Sequence, residues 1–292
     1  MSDTTKIQWC DSTVNPVMGC SGCELWEPGC QQCYAGRLHQ RRRTNPGFAP
    51  DFLTPKMFPG RMAKAARWPD LTGTGRADKP WLSRLPRLIF VSDMGDALSE
   101  HNAIDSSNKP LPGGAIPFEF LKAEIIDTAL SEKGRRHRWL WLTKRPRRMA
   151  EFTDWLRQQH DMELPANIWV GTTVTGNEKL DRIPHLRRVG TARTIRFISV
   201  EPLLEEISLS GHLDGVRWVI VGGESQQKER AREFRCEWAR RLRDECAAAG
   251  VALFVKQLGA RPTDGGVALS LAGGHGGDWR EWPSDLQIRQ IA

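Results

Sequence analysis

From about residue 87 the chain alternates short, nearly continuous apolar runs with longer stretches whose apolar positions recur every three or four residues. The runs are Arg87–Val91, Arg138–Leu142, Asn167–Val170, Ile195–Ser199, Arg217–Val221 and Val251–Val255. Apolar runs without polar alternation suit strands covered on both faces, as in a parallel sheet. Between them, Pro117 to Leu130 opens with proline at a permitted first-turn position and repeats Leu121, Ile125 and Ala129 at helical spacing. A second helix is expected from about Glu233 to Ala249, with Phe234, Trp238, Leu242 and Cys246 on one face, Cys236 off it, and Gly250 just beyond its end. Adding a strand near Thr13 to Met18, about seven βα beats predict an α/β chain folded as one (β/α) barrel, closed or partly open, over residues 1–292.

Residues 46–86 and 101–117 lack periodicity and read as insertions, and 259–292, rich in glycine, as an irregular tail. In barrels of this kind functional groups gather where strands end. Polar groups follow nearly every run: Ser92, Asp93 and Asp96; Thr143, Lys144 and Arg145; Thr172 and Thr173; Ser199 and Glu201; Glu224 and Ser225; Lys256 and Gln257. One such group is readily a helix cap, but so many together predict a polar cavity at one end of the barrel.

The composition, 39% hydrophobic and 26% charged over 292 residues, excludes a disordered or fibrous chain. No run is long enough for a membrane span, and the start Met1–Lys6 has no hydrophobic signal core, so a cytoplasmic protein without a membrane partner is expected. A net charge of +7 makes a nucleic-acid partner plausible, although each basic cluster by itself reads as a solvated helix face. Cysteine usage is the most uneven feature. Cys10, Cys20, Cys23, Cys30 and Cys33 crowd the first 33 residues, out of 7 in the chain. Such a cluster in a cytosolic chain reads as metal ligation. Four thiolates suit zinc, and three suit a [4Fe–4S] cluster with one iron open to another ligand. A loop after the first barrel strand, about 19–36, lies at the barrel's mouth and favours the cluster.

Further motifs occur in fixed order: Ile7-Gln8-Trp9, Asn15-Pro16-Val17-Met18-Gly19-Cys20, Cys30-Gln31-Gln32-Cys33-Tyr34-Ala35 and Phe90-Val91-Ser92-Asp93-Met94-Gly95-Asp96. They continue with Leu142-Thr143-Lys144-Arg145-Pro146, Trp169-Val170-Gly171, Ser199-Val200-Glu201-Pro202-Leu203-Leu204, Trp218-Val219-Ile220-Val221-Gly222-Gly223-Glu224-Ser225 and Lys256-Gln257. Together they resemble the phage-associated radical-SAM-like family with a three-cysteine motif near the N-terminus, over nearly the whole chain. The resemblance implies a barrel of the radical-SAM type holding a [4Fe–4S] cluster whose open iron chelates S-adenosyl-L-methionine. One-electron cleavage of that cofactor yields a radical that takes hydrogen from an unactivated carbon, while the protein orients the pieces. By spacing, Cys23, Cys30 and Cys33 match the C-x6-C-x2-C arrangement, whereas the Asn-Pro-Val context points to Cys20 as the first ligand; both alternatives stand.

The resemblance also suggests Tyr34 near the adenine and Gly222, Gly223 and Glu224 at the cofactor's amino group, with Ser92, Asp93 and Asp96 as the alternative for that role. Lys144 or Arg145 would pair with the cofactor carboxylate or a substrate phosphate, and Glu201 and Lys256 would face the substrate. The reaction it suggests is isomerisation of an amino-acid-modified, glycinyl, thymidine in phage DNA, with an electron donor such as flavodoxin or ferredoxin as partner. A nucleic-acid repair lyase or tRNA-modifying enzyme is the alternative of the same chemistry. A zinc-stabilised DNA-binding protein without catalysis is the alternative of another class.

Overall fold

The computed structural model describes residues 1–27, 30–42 and 44–292, with the side chains of Glu27, Cys30 and Gln31 outside that description. Seven parallel strands form one sheet in strict chain order: β1 (Ser12–Val14), β2 (Leu88–Val91), β3 (Arg138–Thr143), β4 (Ile168–Thr173), β5 (Arg196–Val200), β6 (Trp218–Gly222) and β7 (Ala252–Gln257). Each of the six apolar runs became a strand. Sequential parallel order requires a crossover after every strand, and α2 (Phe118–Leu130), α3 (Pro146–His160), α4 (Arg182–Arg187) and α5 (Cys236–Ala249) lie in these crossovers, while α1 (Tyr34–Arg42) follows the cysteine segment.

The two-residue period of the strands sorts their side chains. Ile89, Trp139, Trp141, Val170, Ile198, Val219 and Val255 face outward into the core shared with the helices. Phe90, Leu140, Trp169, Phe197, Trp218 and Phe254 face inward. The sheet curls round that inner set, so Trp9 from the N-terminal segment meets Phe90 on β2 at 4.6 Å and Trp218 on β6 at 6.1 Å. This aromatic plug, which includes Trp9, Trp169 and Trp218, fills the barrel below its mouth.

The barrel does not close. β1 and β7 are the two sheet edges, and terminal segments cover both. Ser2 exchanges two backbone hydrogen bonds with Thr13, each 2.9 Å, and the C-terminal segment pairs with β7 through Val255 N to Ile288 O and Gln290 N to Leu253 O. Covering an edge removes a template for pairing with other chains.

Several elements differ from expectation for identifiable reasons. The first strand stops at Val14, because Asn15 precedes Pro16, which lacks an N–H; Val17–Met18 pairs instead with Lys56–Met57 in a small antiparallel ribbon. α5 starts at Cys236, since Phe234–Arg235 pairs with Pro262–Asp264, and Cys236 is buried beside Ala239, Leu242 and Cys246. α2 buries Leu121, Ile125 and Ala129 but carries a π-helical turn at Lys122–Ile126. The segment 259–292 packs Trp282 and Leu286 into the core. Among the described residues, no helix is long and apolar enough to cross a membrane.

Candidate active site at the barrel mouth

Two adjoining cavities open at the C-terminal ends of the strands. The smaller, about 100 Å³, is bounded by Cys20, Cys23, Cys33, Ser92, Asp93 and Asp96. The larger, about 470 Å³, reaches from the aromatic plug at Trp9 to Glu201, Glu224, Lys256 and Gln257. Cys33, Tyr34 and Lys144 line both, so the cysteine loop and the strand ends form one compound site.

The cysteine loop is fixed by close backbone approach and by charge. Gly95 lies so near Gly19 that a Cβ there would sit 2.4 Å from the Gly19 carbonyl oxygen. Gly36 on α1 likewise lies against the Trp26 ring, where a Cβ would come within 2.5 Å. At the far side of the loop, Arg182 forks onto both oxygens of Glu24 at 3.0 and 2.8 Å, and the Thr175 hydroxyl donates to the same carboxylate at 3.1 Å. Burial opposes the Glu24 charge, but the Arg182 hydrogen bonds and the Lys144 charge outweigh it and hold the carboxyl down at about 2.

Within the smaller cavity, the Cys20, Cys23 and Cys33 thiols are not joined in disulfides. Burial pushes the Cys20 thiol up to about 11 and raises that of Cys23. Arg145 works against this at Cys20, with Nη1 3.6 Å from the sulfur, while its guanidinium also donates to the Gly22 carbonyl at 2.7 Å and to Asp96 at 2.9 Å. Asp96 also accepts from the Thr143 hydroxyl and from the backbone N–H groups of Lys144 and Leu98.

Asp93 accepts from the Asn15 amide at 2.5 Å, yet burial raises its carboxyl above the usual range. The Tyr34 hydroxyl donates to the Asp93 backbone carbonyl, and the residue as a whole is half exposed. Ser92 holds a left-handed φ of 78°, and its buried Oγ has no partner. An unsatisfied buried hydroxyl on a strained residue is costly unless something meets it.

In the larger cavity, Lys256 Nζ pairs with Glu201 Oε1 at 2.9 Å, and Ser199 donates to the other Glu201 oxygen at 3.2 Å. Glu224 is held by Arg232 and Gln226; burial opposes its charge, but these donors keep the carboxyl below its ordinary range. Gly222 and Gly223 have packing reasons of their own. A Cβ on Gly222 would stand 3.0 Å from Glu201 Oε1, and one on Gly223 2.6 Å from the Leu258 carbonyl oxygen. The Trp9 indole N–H, buried where the cavity meets the plug, also has no partner.

Thus Cys20, Cys23, Cys33, Tyr34, Ser92, Asp93, Asp96 and Lys144 meet at the smaller cavity, and Glu201, Gly223, Glu224 and Lys256 at the larger. The Cys30 side chain lies outside the described residues, and among those described no three Cys, His, Asp or Glu side chains converge closely enough to hold a metal ion. Sequence reasoning missed the Glu24–Arg182 anchor, whose partners are far apart in the chain with no shared motif. It also missed Trp9 as a cavity residue, although the Ile7-Gln8-Trp9 motif marked it. The family model of a protein of unknown function, DUF5131, matches residues 4–282. No curated protein and no solved structure matches.

Proposed function

The chain belongs to the DUF5131 family, and we propose that it is a radical S-adenosyl-L-methionine enzyme whose substrate is an amino-acid-modified thymidine in DNA. One observation carries the first part: free cysteines ring a small cavity that opens, across Cys33, Tyr34 and Lys144, into a ligand-sized cavity where parallel strands end. The donor set fits an iron–sulfur cluster, since soft thiolates are its ligands and the unpartnered Ser92 hydroxyl beside them marks a place prepared for a bound group. Cys33 and Cys30 with Cys20 or Cys23 would hold the cluster. When bound, cluster and cofactor supply one-electron chemistry at an unactivated C–H bond.

The chain's own residues bind and orient. Lys144, between the two cavities, offers a cation to a carboxylate, and Asp93 and Ser92 offer acceptors to an ammonium group. The Lys256–Glu201 pair presents an adjacent cation and anion to a polar substrate, and the aromatic plug excludes water from below. The thymidine substrate and the isomerisation rest on the family resemblance and on the +7 net charge, which suits a polyanion.

The test is anaerobic reconstitution with iron and sulfide, followed by EPR of the reduced protein with and without S-adenosyl-L-methionine. A [4Fe–4S]⁺ signal that changes shape with the cofactor is expected. A colourless protein that binds one zinc, with no cluster signal, would sink the radical reading in favour of a zinc-stabilised DNA binder. Turnover of glycinyl thymidine in a DNA oligonucleotide tests the substrate separately.

A further inference from the structure

We infer that Arg145 and Asp96 form a positioning pair that sets the reduction potential of a cluster ligated by Cys20, an inference that rests on the radical reading above. Arg145 Nη1 faces the Cys20 sulfur at 3.6 Å, and its Nη2 donates to the Gly22 carbonyl two residues on in the same loop, at 2.7 Å. Its side chain is 13% exposed and that of Asp96 7%. Little water therefore screens the pair. Asp96 is held in turn by the Thr143 hydroxyl, by the Lys144 N–H and by Arg145, while Glu100 stands farther off at 3.8 Å from Arg145. The guanidinium thus has one fixed orientation, with a donor aimed at a cysteine sulfur.

A donor on a ligating sulfur stabilises the state carrying more negative charge, which for a cluster is the reduced one. Asp96 behind the guanidinium offsets part of that charge, so the two residues push the potential in opposite directions. This opposition separates tuning from scaffolding. If the network served only to hold the loop, breaking it from either side would loosen the same contacts and move the potential the same way or leave it still.

The experiment is an EPR-monitored redox titration of the full-length, anaerobically reconstituted protein, with iron counted per chain, for the wild type, Arg145→Gln and Asp96→Asn. Arg145→Gln removes the cation and leaves Asp96 unpaired beside the sulfur, and is expected to make reduction about tenfold less favourable, ~59 mV lower for one electron. Asp96→Asn is expected to raise the potential. Potentials that shift together, or not at all, at wild-type iron content overturn the inference. If either variant fails to fold, Arg145→Lys decides: it keeps the charge but cannot serve Cys20, Gly22 and Asp96 at once, and its potential should fall below the wild type, an unchanged value counting against the pair. A wild-type protein that assembles no cluster refutes the radical reading itself; a normal cluster with unmoved potentials refutes this inference alone.

Discussion

Removing the charge from Glu24 should unfasten the cysteine loop. Glu24 and Arg182 are 15% and 13% exposed, and their fork joins the loop to α4 just beyond β4. The Glu24 carboxyl falls from an ordinary 4.5 to about 2, because the Arg182 fork and the Lys144 charge outweigh the burial that opposes ionisation. At about 1.36 kcal/mol per pH unit, that depression corresponds to roughly 3 kcal/mol. A carboxylate depressed by folding contributes its full stability above its unfolded value and loses it as pH falls through the folded one. For Glu24 the loss lies between about pH 4.5 and pH 2. Glu24→Gln also leaves the Arg182 guanidinium short of a counter-charge, and breaking one side of a buried pair typically costs ~3–5 kcal/mol. We expect urea denaturation at pH 7 to show Glu24→Gln destabilised by about 3 kcal/mol. The gap to the wild type should be constant above about pH 5 and narrow steadily toward pH 2. A loss under ~1 kcal/mol, as for exposed ion pairs, or a gap independent of pH over that window, would refute the reasoning.

Two further outcomes follow from the packing. Gly95→Ala would place a Cβ 2.4 Å from the Gly19 carbonyl oxygen, so the cysteine loop and the Ser92–Asp96 turn must part; the variant should stay folded by far-ultraviolet circular dichroism but bind less iron on reconstitution, and full iron content would count against this contact. Phe197→Ala removes a fully buried ring from the plug, where large-to-small changes cost ~3–5 kcal/mol, and a thermal midpoint within error of the wild type would mean that the inner barrel is not the packed core described.

The central sheet was legible because its strands are covered on both faces, and double coverage writes itself as an unbroken apolar run such as Leu88–Val91. The first strand was harder. Ser12–Val14 has three residues, two of them hydroxylic, and its place at the sheet edge comes from pairing with β2, not from its own pattern. Nor could periodicity decide between a closed and an open barrel. That depends on strand tilt and stagger, and here on terminal segments whose pairing with β1 and β7 has no counterpart in the hydrophobic pattern.

For the site, the sequence supplied the residue types at the strand ends and the structure supplied their partners, and partners decide which groups remain for a ligand. Asp96 was a candidate for the cofactor's amino group and Arg145 for its carboxylate, but they neutralise one another and hold the Cys20 loop. Glu224, only 6% exposed, is likewise engaged, by Arg232, whose own side chain is 42% exposed. A buried acid already met by an arginine has little to gain from a second cation, since that gain must offset further desolvation. Under the proposed function, Lys144 then remains for a carboxylate and Ser92 with Asp93 for an ammonium group. Ser92 is the better marked of these, because among the described residues its side-chain hydroxyl is the one lining the smaller cavity that is both buried and without a partner. The turn keeps this serine at a φ of 78°, which costs backbone strain, and its unmet hydroxyl is a hydrogen-bonding group that a bound polar group would satisfy.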